Sequence, residues 1–148
     1  MPNYATTAEL IARFETPEAV AHLTNVPDGP PDQTLLTKAI EAAESTMNSY
    51  FAARYKTPIA TADADLRSLL EAVALDLAVY ELYSMGEMIP ESRTQKMENR
   101  MEWLNAVRKG DVLLPASSAV LASTVAEPIE FSSGYNSRTL SRSELAVL

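Results

Sequence analysis

Residues 64–86 read ADLRSLLEAVALDLAVYELYSMG. Leu66, Leu69, Leu70, Val73, Leu75, Leu77, Val79, Tyr80 and Leu82 recur at helical spacing. Projected on a helix they go almost all the way round, so other helices or a neighbouring subunit must surround it. Asp63 is a good N-cap, and Gly86 and Pro90 mark the end. Tertiary packing therefore has to be built around this stretch, and the fold class is all-α.

The neighbours are legible on both sides. Asp32 or Thr34 opens a long helix with the stripe Leu36, Ile40, Ala43, Met47, Tyr50 and Arg54, and Pro58 stops it. A last helix starts near Pro90 and runs to Lys109, with Met97, Met101, Leu104 and Val107 as its stripe. Arg108 and Lys109 suit the negative end of its dipole, and Gly110 is the expected terminator. Upstream, Thr6 and Glu9 fit a capping box before Leu10, Ile11 and Phe14. Thr16 and Pro17 start a short second helix carrying Val20 and Leu23. NVPDGPPD, residues 25–32, cannot continue a helix and is a loop. Two or three long antiparallel helices thus form a small bundle over residues 1–110.

From Asp111 onward Ser and Thr become frequent and helix formers sparse, yet VLLP, AVLASTV and IEF keep apolar residues. Residues 111–148 read as a C-terminal arm, extended or with short strand pairing, that needs a surface to lie on.

NSYFAARYKTP, residues 48–58, crowds aromatic and basic side chains at a helix end. Tyr50 continues the core stripe and Phe51 flanks it. Arg54, Tyr55 and Lys56 fall where cations can bond the last free carbonyls. Helix termination and packing explain most of this cluster, and Tyr83 and Trp103 read as core or helix-contact aromatics. Asp76 is the unusual acid, sitting mid-helix among Val73, Leu75, Leu77 and Tyr80. Either its carboxylate reaches solvent at the edge of the apolar surface, or it forms a buried ion pair with Arg54, whose planar fork suits the role.

The chain has 148 residues, enough for one domain with a modest core, and 47% of them are hydrophobic. Its net charge of -8 argues against gripping DNA, because phosphates need Lys and Arg to replace their counterions. There is no cysteine, which removes disulfides and thiolate metal sites. MPNYATTAEL lacks the basic and apolar regions of a secretory signal. The longest apolar run, 69–83, carries Glu71, Asp76 and Glu81, so no membrane span is expected. A soluble protein made in a cytoplasm follows as the expectation.

Chemistry is sparse. His22 is the only imidazole, so it would have to serve any nucleophilic triad alone. The carboxylates are scattered over helix surfaces, without the Glu-x-x-His pair of a di-iron bundle or an EF-hand loop. The 4 glycines form no phosphate cradle. The expectation is a protein that is no enzyme and needs no metal or cofactor.

The order of motifs resembles the small head–tail connector (adaptor) proteins of Mu-like phages and prophages. The matching pieces are YATTAELIARF, AIEAAESTMNSYFAARYKTPI, ALDLAVYELY, MEWLNAVRKGDVLL and SRTLSRSEL. Each is a packing signature, and the specificity lies in their order and spacing. NVPDGPPDQT before the long helix is a departure, and residues 115–130 carry no matching motif.

The resemblance implies an all-helical adaptor below the portal at the capsid vertex, assembled in the host bacterial cytoplasm. Its copies would form a ring of expected twelvefold symmetry, touching the portal protein and the next connector or tail protein. The ring would extend the DNA channel without reading sequence. Interface positions under this reading are Tyr50, Phe51, Arg54, Tyr55, Tyr83, Leu121, Ile129, Phe131, Arg138, Leu140 and Arg142. A closed ring needs two different complementary faces per subunit. The helix at 64–86 and the stripe of 35–55 are the expected sources of core and of one such face, with the tail as an arm on a neighbour or the portal. Acidic charge would let DNA slide through a lumen. The alternatives are a stopper or tail-completion protein of the same neck, a generic helical interaction module, and a small acidic hydrolase.

Overall fold

The computed structural model describes residues 3–24, 29–86 and 89–115. Its elements are α1 (Thr7–Ala12), α2 (Pro17–Leu23), α3 (Gln33–Phe51), α4 (Ala64–Ser84) and α5 (Glu91–Lys109). The fold is all-α. At 1.5 Å per residue, α4 is about 31 Å long and α3 and α5 about 28 Å each.

The helix starts follow their cap chemistry. Thr6 and Glu9 form the expected capping box, Thr16 caps α2 with Pro17 in its first turn, and Asp32 and Asp63 each accept two backbone N–H groups. Asp32, rather than Thr34, is the cap of α3. Gly110 ends α5 in the left-handed conformation, with φ of 90°.

α4 is the central helix, packed against α1, α3 and α5. Leu66, Leu70, Val73, Ala74, Leu75, Leu77, Ala78, Val79 and Leu82 are all buried within this one chain. Most of its apolar surface is thus consumed by the core, and of the large hydrophobic side chains on α4 and its C-cap only Leu69 and Met85 are exposed. Most of 64–86 thus serves as core, and the surface it leaves for a partner centres on Leu69 and the half-buried Tyr80 and Tyr83. The face it leaves for a partner is small because three helices already cover it.

α3 departs from the expected register at its end. The stripe runs Leu36, Ile40, Ala43, Met47 and then Phe51, which is fully buried, whereas Tyr50 is half-buried. Three or four residues close one turn, so both positions can continue the stripe, and Phe51 is the one whose ring meets Trp103 of α5. The helix also stops at Phe51 rather than running to Arg54. Amides of Arg54 and Tyr55 both donate to the Phe51 carbonyl, tightening the chain into a turn that carries Tyr55 inward. Pro58, preceded by a cis peptide bond, lies beyond that turn.

Arg13 at the end of α1, Asp76 on α4 and Arg100 on α5 meet. Arg100 donates to Asp76 Oδ2 through Nη2 at 2.8 Å and Nε at 2.9 Å, and Arg13 stands 3.8 Å from Oδ1. The Asp76 side chain is only 7% exposed. The expected pair with Arg54 is therefore wrong in its partner. Arg54 lies at the other end of the bundle, where its Nη1 donates to the Lys109 carbonyl at 3.2 Å.

A second buried carboxylate straps down the N-terminal segment. Glu44 on α3, 3% exposed, accepts from the amides of Asn3, Tyr4 and Ala5 and from Asn3 Nδ2. Successive N–H groups make a natural cradle for an anion. The Tyr4 hydroxyl then donates to Asn48 Oδ1 at 2.7 Å and accepts from the Ile59 amide at 2.8 Å. Three separate segments are held at one polar point beside an apolar core.

Candidate interaction surface

α3 and α5 run in the same direction, opposite to α4. Phe51 meets Trp103 edge-on at 6.2 Å, Tyr50 lies under Arg108 at 6.0 Å, and Arg54 reaches Lys109. The C-terminal ends of α3 and α5 therefore come together, and with them Arg54, Lys56, Arg108 and Lys109. Both helix dipoles point their negative ends here, which favours these cations. The half-buried Tyr50 ring and Leu113, 70% exposed, lie in the same region. In a chain of net charge -8 this end is a local basic and aromatic patch.

Near the other end of α5, Arg93 stands over the Tyr83 ring at 5.9 Å, and Phe14 from the segment after α1 lies 6.1 Å from Tyr83. Positions 93 and 108 are about 22 Å apart along α5. The molecule thus presents two Arg-over-Tyr patches at opposite ends of one helix, unlike in their surroundings: Arg54 and Lys109 lie beside one and Phe14 beside the other. A guanidinium over a ring is already desolvated on one side, and Tyr and Arg are enriched where interfaces gain most.

The expected interface residues separate under this geometry. Tyr50, Arg54 and Tyr83 keep surface that a partner can reach. Phe51 and Tyr55, at 0% and 2% exposure, do not, and their assignment to an interface is corrected. Tyr55 is instead a core residue whose hydroxyl accepts from the Leu114 amide at 3.0 Å, fastening the chain after α5. Leu121, Ile129, Phe131, Arg138, Leu140 and Arg142, and most of the arm 111–148, lie outside the described residues.

Arg93, Arg100 and Glu44 were not singled out from sequence, and Arg108 was read only as a cation suited to the end of its helix. Glu44 could have been found, because it falls on the buried face with Ile40, Met47 and Phe51. The cation–ring pairs had no comparable signal, since each joins two different helices.

A cavity of about 360 Å³ lies between the N-terminal segment, residues 59–61 and the start of α4, with Glu9, Arg67 and Glu71 on its walls. A second hollow of about 190 Å³ opens between α3, α4 and α5. Among the described residues no group of His, Asp or Glu is placed to hold a metal ion. No helix of the described residues is long and apolar enough to cross a membrane. Burial pushes the Tyr4 phenol above its ordinary 10.0, the Ile59 N–H works against that, and the Glu44 charge adds to it.

Residues 4–131 match the family model described as Bacteriophage Mu, Gp36. The chain belongs to this phage protein family. No curated protein matches it. The matched span takes in all five helices and continues into the arm, so membership in the Mu Gp36 family rests on the whole bundle rather than on one motif.

Proposed function

We propose that this Mu Gp36 family protein is a structural component of the phage neck, a head–tail adaptor that forms a ring beneath the portal. The observation that carries the reading is the match to a Mu phage family along 4–131. The two unlike patches on α5 support it. Repeated rotation joins one patch of a subunit to a different patch of the next, and two such surfaces at opposite ends of a rigid helix suit that geometry. The buried Asp76 and Glu44 clusters support it as well, because they lock α1, α3, α4 and α5 into a rigid body able to hold a ring's angle.

In this reading the Tyr50–Arg108 end and the Tyr83–Arg93 end meet neighbouring copies or the portal, and the arm reaches a further partner. The net charge of -8 keeps the passing DNA from being trapped on the ring.

The test is to mix the full chain with the portal of its own phage and image the product by electron microscopy. A closed ring seated on the portal is expected. Arg108→Glu should abolish the ring while leaving helix content unchanged and lowering the melting temperature only slightly, through the lost dipole and ring contacts. Density for this chain placed at the tail tip or inside the capsid, or portal left bare by the wild-type protein, would refute the reading.

A further inference from the structure

We propose that the hollow between α3, α4 and α5 is the docking site of residues 119–125, AVLASTV, of the same chain. The hollow measures about 190 Å³. Ala43 and Leu77, 1% and 5% exposed, form its floor, and half-buried Met97, Met101 and Tyr80 line its walls. Thr46 and Glu81 complete the lining. Farther along α5, Leu104 and Val107 are fully buried, so only the first half of the helix's apolar stripe is left uncovered. Methionine side chains are flexible and polarizable, and they suit a surface that must close over an added aliphatic group.

The occupant follows from reach and from composition. After Gly110 the chain folds back: the Val112 amide donates to the Ala106 carbonyl at 3.3 Å, and the Leu114 amide to the Tyr55 hydroxyl at 3.0 Å. It therefore leaves the described structure at Pro115, beside the C-terminal ends of α3 and α5, two of the three helices that line the hollow. Lys109 back to Met97 is about 18 Å at the helical rise. Residues 116–120 can span about 17 Å when extended. AVLASTV is therefore the first apolar stretch able to arrive at the hollow.

Composition points the same way. Residues 112–126 carry no charged side chain, although 22% of the chain is charged. A stretch of that kind needs cover, and Val120, Leu121 and Val125 among Ala, Ser and Thr are small enough for a hollow of this size. Docking would close the last open part of the apolar stripe. It holds whether or not the protein forms a ring, and the experiment below needs no portal.

The chain has no cysteine, so an engineered pair reports without interference. The full-length variant with Met101→Cys and Leu121→Cys should form an intrachain disulfide under mild oxidation, seen by intact mass and a non-reducing gel. The pair Leu69→Cys with Leu121→Cys, using an exposed position of α4 outside the hollow, should stay largely reduced. In a second measurement, Val120, Leu121 and Val125 are replaced by Ser in the full chain with methyl-labelled methionine. The methyl resonances of Met97 and Met101 should shift while that of core Met47 stays. A disulfide between chains would move the site to a neighbouring copy and overturn the proposal. So would an absent cross-link or unmoved Met97 and Met101 methyls.

Discussion

The guanidinium of Arg54 lies over Gly110, and its Nη1 donates to the carbonyl of Lys109 at 3.2 Å across 55 positions of sequence. One side chain from the turn after α3 thus caps the C-terminus of α5. A Cβ at position 110 would collide with that guanidinium, and φ of 90° is unfavourable for any side chain.

Gly110→Ala should accordingly cost about 1–2 kcal/mol from backbone conformation alone. Displacing Arg54 adds to that loss. In a double-mutant cycle with Arg54→Ala, measured by urea unfolding, the two losses should be less than additive, because the collision disappears with the arginine. Strict additivity would show that the contact carries no energy.

Asp76 should couple to Arg100 and leave Arg54 untouched. Removing Arg100 leaves a carboxylate buried with only the more distant Arg13, so Arg100→Ala is expected to cost about 2–4 kcal/mol, toward the lower part of what a broken buried pair costs, since Arg100 is itself 33% exposed. Asp76→Asn should cost less, because two partly exposed arginines can turn to water. Thermal melts of the Asp76/Arg54 double variant should show simple addition of the single effects.

Glu44→Ala deprives three successive amides of their acceptor in a partly buried site. A loss of about 2–3 kcal/mol is expected, in the range for charge-assisted hydrogen bonds and unsatisfied buried donors. Hydrogen exchange gives the sharper readout. Amides of Tyr4 and Ala5 should lose protection while those in the middle of α4 keep theirs. Equal loss everywhere would mean that Glu44 supports the whole bundle rather than the strap.

Tyr4 predicts an alkaline limb. Its folded pKa is raised above the ordinary 10.0, so the folded state holds this proton more tightly than the unfolded state. The stability involved is fully present below pH 10 and is lost as pH rises through the folded value. Tyr4→Phe should lower stability at neutral pH, through the lost bonds to Asn48 and Ile59, and should flatten the decline above pH 10. An identical alkaline slope in the two proteins would contradict this.

Much of the bundle was legible because its signals are local. Thr6 with Glu9, Thr16 with Pro17, Asp63 and Gly110 each act on backbone within a turn of themselves, so their effects need no knowledge of the rest of the fold. The end of α3 was less legible. Tyr50 and Phe51 are equally good continuations of the stripe, and only the position of α4 and Trp103 decides which one turns inward. Tyr55 is basic-flanked and looked superficial, yet the Leu114 amide draws it into the core.

By itself the sequence determined the helices, their caps, the all-α class and the need to surround residues 64–84, because hydrophobic periodicity and hydrogen-bond supply at helix ends are properties of neighbouring residues. Only the tertiary structure decided that Asp76 pairs with Arg100 and Arg13, that Glu44 holds the N-terminal segment, and that Tyr50 and Tyr83 stay reachable under their arginines. Those outcomes depend on which helix faces which. Charge and aromatic character can be read from one position, but a partner is chosen by distance in space.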